Sequence, residues 1–292
     1  MSTTHKSHGI LVGVDGSAAS HCAVRFAAHE AAMRGVRLTL VHMLNTYVPT
    51  YPQIPMPSGV ALWQKDDRRQ ILDAAVTIAD VSAKTVGGID ISNELRSSPP
   101  VPTLIEMSDE AEMIVVGSNG RGALSRVVLG SVSSGVVRGA RCPVAVIRVE
   151  DSQTPPAPQA PVLVGIDCSP ASELATAVAF DEASRRGVDL TALHAWSDIA
   201  IYEGPWPDWK SEADRNLAEY LAGWKERYPD VTVHRVVAID HPARQLVEES
   251  ESAQLVVVGS HGRGGLSGVL LGSVSNAVVH AARVPVIVAR PS

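Results

Sequence analysis

A glycine–serine pattern occurs twice in this chain at one spacing, and it is the part of the sequence best suited to chemistry. The first copy reads Gly117-Ser118-Asn119-Gly120, then nine residues, then Gly130-Ser131-Val132-Ser133. The second reads Gly259-Ser260-His261-Gly262, then nine residues, then Gly272-Ser273-Val274-Ser275. Each copy follows an apolar run, Met113 to Val116 or Leu255 to Val258, and precedes a helical-looking segment. Backbone N–H groups at such a loop and helix start can hold phosphate. Gly117 and Gly120 would let the backbone approach a ligand without a Cβ in the way, and would permit positive φ. Ser131 and Ser133 add hydroxyl donors, and Arg121 and Arg263, each followed by a further glycine (Gly122, Gly264), could bring charge to a phosphate. A plainer reading stays open: a glycine here can be a turn residue, and a serine before a helix an N-cap.

These residues need a frame, and the frame is duplicated too. Leu11-Val12-Gly13-Val14-Asp15-Gly16-Ser17 matches Leu163-Val164-Gly165-Ile166-Asp167-Cys168-Ser169, Leu40-Val41-His42 matches Ala192-Leu193-His194, and Pro143 to Ile147 matches Pro285 to Ala289. Between the halves stand Pro155, Pro156, Pro158 and Pro161, a run that continues neither a helix nor a central strand. The expected domains are 1–150 and 161–292, joined by a linker over 151–160. Within the first half the pattern predicts strands over 9–15, 37–43, 89–96, 113–117 and 143–149. Helices are expected over 18–34, 61–85, 101–111 and 131–141. The second half is ten residues shorter between strand two and the glycine motif, a difference expected in the Pro-rich loop from Tyr47 to Gly59.

Strands that are apolar on both faces and alternate with helices imply a parallel sheet covered by helices. Each half is therefore expected to be a doubly wound α/β domain. Ligands bind such sheets at the carboxyl ends of the strands, where neighbouring strands send their chains in opposite directions. If strands one and four are neighbours, Asp15 faces the Gly117 loop and Asp167 the Gly259 loop across one crevice. The two aspartates suit ribose hydroxyls, a base amino group or a metal beside phosphates.

Composition sets the outer limits. The chain has 292 residues, 45% hydrophobic and 19% charged, with a net charge of −6. That balance fits globular domains and argues against a broad nucleic-acid surface, which needs clustered Lys and Arg. No run is long enough for a membrane span and residues 1–8 have no apolar signal stretch, so a cytoplasmic protein is expected. Cys22, Cys142 and Cys168 form no CxxC pair, hence no disulfide framework or zinc site. His42 and His194 sit in apolar strands and read as hydrogen-bonded core or edge histidines.

Together the G-x2-G-x9-G-[S/T] signature in both halves and the strand-one Asp resemble the universal stress proteins, specifically the tandem two-domain ATP-binding type familiar from mycobacteria. The resemblance covers essentially the whole chain. It implies five parallel strands per half in the order 3-2-1-4-5, and ATP with Mg²⁺ in each half. It implies that Asp15 and Asp167 contact the adenosine part, with Gly13 and Gly165 along the same edge and Met43 and Ala195 against the base. The phosphates would lie on Gly117, Gly120, Gly130, Ser131, Val132 and Ser133, and on their counterparts Gly259, Gly262, Gly272, Ser273, Val274 and Ser275, with Ser118, Asn119, Ser260 and His261 among the nucleotide-binding residues. Asp15 and Asp167 are the metal candidates. Asp198, after strand two of the second half, could reach a ribose, though a solvated loop acid is the simpler account. The family's use of its last strand in dimer contacts implies an intramolecular pseudo-dimer and a homodimer of chains.

No Walker lysine, G-x-S-x-G elbow or HExxH is present. The expected function is therefore nucleotide binding that changes what an unknown protein partner meets, with slow ATP hydrolysis or phosphotransfer as the alternative. Gly117→Ala and Gly259→Ala are expected to weaken binding while leaving the fold intact, because the methyl would intrude on the ligand.

Overall fold

The computed structural model describes residues 7–43, 58–84, 87–120, 129–149, 157, 159–196, 207–262 and 271–291. The chain divides into two compact units, Met1–Val149 and Glu150–Ser292.

In the first unit the strands are β1 (Gly9–Gly13), β2 (Leu38–Met43), β3 (Ile91–Arg96), β4 (Ala111–Gly117) and β5 (Val144–Ile147). The helices are α1 (Ala18–Arg34), α2 (Ser58–Lys84), α3 (Pro100–Met107) and α4 (Ser131–Gly139). All pairings are parallel and the strand order is β3-β2-β1-β4-β5. The second unit repeats this with β6 (Val162–Gly165), α5 (Pro170–Arg186), β7 (Leu190–Trp196), α6 (Pro207–Arg227), β8 (Val233–Ile239), α7 (Pro242–Ser250), β9 (Leu255–Gly259), α8 (Ser273–Ala281) and β10 (Val286–Ala289). Its parallel order is β8-β7-β6-β9-β10. β1 and β6 are thus the central strands, each flanked by the strand that carries a glycine motif, as the crevice argument requires.

Local chemistry explains the boundaries. Ser17 and Ser169 cap α1 and α5 by accepting the N–H of Ser20 and Ser172 at 3.2 Å. Gly35 (φ +64°) and Gly187 (φ +63°) end them in the left-handed conformation that glycine adopts without strain. Ala23, Ala27 and Ala31 on α1, and Ala175, Ala179 and Ala183 on α5, are fully buried on the sheet-facing stripe. Phe26 and Val178 lie only half-buried beside them. Phe180 takes a deeper place in the second unit, against Trp224 and Tyr228 with ring centroids 5.9 and 5.5 Å away.

Several expected boundaries move by a few residues, and two of the shifts have a visible local cause. β1 stops at Gly13 rather than residue 15: Val14 still donates to the Val41 carbonyl (2.8 Å), but Asp15 opens a turn. The third helix ends at Met107, a 3₁₀ turn follows over Ser108–Glu110, and Ser108 Oγ donates back to the Ile105 carbonyl. Part of the length difference between the halves lies in the second helix rather than in a loop. α2 has 27 residues and α6 has 21, so six of the ten fall within this helix. The expected loop lies largely outside the described residues.

Candidate functional site

At the end of β1 the chain makes a tight turn that fixes Asp15. Its Oδ1 accepts the Ser17 N–H at 2.9 Å, and Gly16 takes φ +77°. The second unit repeats the turn with Asp167 Oδ1 and the Ser169 N–H at 3.0 Å. There Cys168 occupies the left-handed position at φ +60°, alone among the described non-glycine residues. A Cβ in that region costs about 1–2 kcal/mol. His42 and His194 hold these turns to strand two. Each Nδ1 donates to the carbonyl of the residue just after strand one, Val14 at 2.6 Å and Ile166 at 2.7 Å, which is the hydrogen-bonded role expected of them.

The glycine motif closes a second loop. Ser118 donates its N–H to the Ile147 carbonyl at 2.7 Å, and its own carbonyl accepts the Gly130 N–H at 2.7 Å. The chain therefore leaves the sheet and returns at one point. In the second unit Ser260 donates to Ala289 at 3.1 Å and accepts from Gly272 at 2.8 Å. α4 then starts without a side-chain cap on Gly130, and its first intrahelical bond runs from Ser134 N–H to the Gly130 carbonyl at 2.9 Å. α8 starts alike from Gly272, with Asn276 N–H to Gly272 at 2.8 Å. Hence the N–H groups of Ser131, Val132 and Ser133, and of Ser273, Val274 and Ser275, have no acceptor within their helix. They present the positive end of the helix dipole.

Asp15 and the motif meet across the crevice. A Cβ placed on Gly120 would stand 2.6 Å from Asp15 Oδ2, and one on Gly262 2.8 Å from Asp167 Oδ2. Only a glycine lets the carboxylate come that near. The cavity so formed measures about 410 Å³ in the first unit and about 430 Å³ in the second. The polar end of the first is built from Asp15, Asn119, Gly120 and the start of α4; its apolar end from Gly13, Val14, Met43, Pro100 and Leu104. The second has Asp167, His261, Gly262 and the start of α8, facing Gly165, Ile166, Ala195, Pro242 and Leu246.

Several expectations need correction. Gly117 and Gly259 lie in the cavity walls, but a methyl on either would point away from the cavity. On Gly117 it would fall 2.7 Å from the carbonyl carbon of Ala19, and on Gly259 2.7 Å from the carbonyl oxygen of Ala171. These glycines let α1 and α5 pack on the strand ends. Neither they nor Gly120 and Gly262 have positive φ. Ser118 and Ser260 are buried behind the cavities and contribute no wall. The Ser133 hydroxyl donates to the Gly117 carbonyl at 2.6 Å and Ser275 does the same to Gly259, so a ligand would meet these oxygens as acceptors. Arg121, Gly122, Asp198, Arg263 and Gly264 lie outside the described residues.

Other wall residues went unread in the sequence. Ser20 and Ser172 line the cavities five positions after the aspartates; Pro100 with Leu104, and Pro242 with Leu246, form a wall from the third helix. Both sets recur at identical spacing in the two halves, and that is the signal that could have found them. Beside the second cavity, burial pushes the Tyr220 phenol up, while hydrogen bonds from Thr176 and Ser172 oppose the shift. Tyr220 therefore stays neutral. Among the described residues no group of three His, Cys, Asp or Glu could hold a metal ion, and no helix is long and apolar enough to cross a membrane.

Comparisons with known proteins agree with this architecture. The universal stress protein family matches residues 7–148 and 160–290. Universal stress protein Rv2005c of Mycobacterium tuberculosis is 60% identical over 295 residues, covering 100% of both chains. Rv2623 of the same organism is 53% identical over 295 residues, covering 100% of this chain and 99% of that one. Among solved structures, a universal stress protein from Archaeoglobus fulgidus superposes with a TM-score of 0.70 at 20% identity, over 98% of this chain and 99% of that one. The chain belongs to the universal stress protein family, with one family domain in each half.

Proposed function

We propose that each half binds one ATP with Mg²⁺, and that occupancy changes the surface offered to a protein partner in a stress or growth-arrest response. One observation carries this reading. An uncapped helix start faces a fixed carboxylate across a cavity whose other end is apolar, and the arrangement occurs twice. The polar end suits a phosphate chain and the apolar end a planar base. Volumes of about 410 and 430 Å³ fall in the usual small-molecule range of about 300–1,000 Å³.

The energetics fit reversible binding. Charge-assisted hydrogen bonds contribute about 1.5–3 kcal/mol each, and the helix dipole about 0.3–2 kcal/mol. Three amides and an apolar slot thus reach the roughly 8 kcal/mol of a micromolar complex. Mg²⁺ is commonly held by phosphates with one or two carboxylates, so Asp15 or Asp167 would be its protein contact, and the ion would neutralise phosphate charge. The reading as a binder rather than an enzyme rests on Asp15. Among the described residues it is the one titratable group in the first cavity wall, its Oδ1 already accepts a hydrogen bond from its own turn, and the second wall adds only His261 to the matching Asp167. A homodimer of chains in the cytoplasm completes the proposal; sedimentation equilibrium measures the assembly.

Mass spectrometry of the small molecule released on denaturing freshly purified protein tests the reading directly. Intact ATP near two per chain is the expected result. Steady phosphate release that disappears in the Asp15→Asn, Asp167→Asn double variant would favour the hydrolase instead. A calorimetric titration without heat for ATP, ADP, AMP or cyclic AMP would leave only a scaffold.

A further inference from the structure

The two cavities repeat the aspartate, the glycines and the helix start at their polar ends, with His261 in place of Asn119, and they differ at their apolar ends as well. Strand two carries Met43 in the first half and Ala195 in the second, one residue after the turn-holding histidine. Met43 bends over the floor of its cavity: its Cε lies 3.8 Å from where a Cβ on Gly13 would stand. At Gly165 the three nearest atoms all belong to Leu246, at 3.0, 3.3 and 3.7 Å, and none to Ala195. The wall of the second cavity runs further down the strand to Leu193, which lies on the same face as Ala195. The corresponding wall of the first ends at Met43 and does not include Val41. A thioether therefore closes the apolar end in one half, and a methyl leaves a deeper slot in the other.

We infer that the residue after the strand-two histidine makes the halves unequal for a flat aromatic ring: Met43 gives a close-fitting site for a purine nucleotide, Ala195 a looser one. This rests on the nucleotide reading above. The side chain acts by contact area alone, since neither residue carries charge or a hydrogen-bond donor. The extra atoms of Met over Ala correspond to about tenfold in affinity for a ring they cover. A ligand without a ring gains nothing from them.

The full chain carrying Met43→Ala, Ala195→Met or Met43→Leu is titrated by calorimetry with ATP and, separately, with inorganic triphosphate. Met43→Ala is expected to weaken one class of ATP site about tenfold. Ala195→Met should tighten the other class by a similar factor, and Met43→Leu, of similar bulk, should stay near wild type. Triphosphate affinity should not change in any of them. ATP affinities that ignore both the Ala and the Met exchange would overturn the inference, as would triphosphate affinity moving in step with ATP. Absence of ATP binding in the wild type is a separate result, which removes the nucleotide reading and this inference with it.

Discussion

Replacing Gly117 with alanine separates two explanations for the same glycine. If its role were to let a ligand approach, the methyl would weaken binding and spare the fold. The geometry says otherwise, because the new Cβ would stand 2.7 Å from the Ala19 carbonyl carbon, 2.9 Å from its Cβ and 3.0 Å from its oxygen. Carbon atoms in ordinary contact sit about 3.5–4.0 Å apart, so the start of α1 must retreat by nearly 1 Å. Ala19 is 1% exposed and its carbonyl is backbone, which leaves no flexible side chain to swing aside. Overpacking of this kind costs about 1–3 kcal/mol, a large part of the roughly 5–15 kcal/mol that holds a domain together. Urea denaturation followed by circular dichroism should show a lower midpoint at unchanged slope. Amide exchange should rise in the peptides spanning α1 and β4. Nucleotide affinity should fall as a consequence, because Ser20 and the Ser17 cap move with the helix. Gly259→Ala should do the same to α5 through Ala171. Unaltered midpoint and exchange, with binding alone reduced, would refute this reasoning.

Gly120→Ala and Gly262→Ala should show the opposite balance: among the described residues the methyl would meet only the carboxylate, at 2.6 or 2.8 Å, so the urea midpoint should barely move while Mg²⁺–ATP affinity drops several-fold by calorimetry. In thermal melts, Cys168→Gly should stabilise the second unit by about 1 kcal/mol, since it relieves a left-handed Cβ, and Gly16→Ala should destabilise the first unit by a like amount. Gly139→Ala should loosen the α3–α4 contact, because its Cβ would stand within 3.1 Å of Ile105 Cγ1; Ala281 holds the equivalent place on α8, so Ala281→Gly should cost little by comparison. The two-pronged hydrogen bond from Arg235 (2.8 and 2.9 Å) holds the Asp214 carboxyl below its ordinary range. Its contribution is present above the ordinary carboxylate value and disappears as pH falls through the lower folded one. For so exposed a pair it amounts to less than about 1 kcal/mol, so Asp214→Asn should differ slightly from wild type at neutral pH and converge with it in acid.

The fold was legible in the sequence because periodicity survives in one dimension: β-branched runs, alanine stripes at helical spacing and the duplicated motifs fix strand, helix and repeat without tertiary information. Asp15, Asp167 and the glycine motifs were recognisable for the same reason, since repeated spacing marks them. The direction in which a missing Cβ points is another matter. Gly117 and Gly120 look alike three residues apart, yet one faces the α1 backbone and the other a carboxylate, because strand and loop aim successive positions to different sides. The same holds for Ser133, whose hydroxyl the fold turns onto the Gly117 carbonyl, and for Leu104 and Leu246, which enter the cavities only because the third helix lies over the end of β1 or β6. Sequence determined which elements exist and which residues recur; only the packed structure decided which atoms face the ligand and which hold the frame.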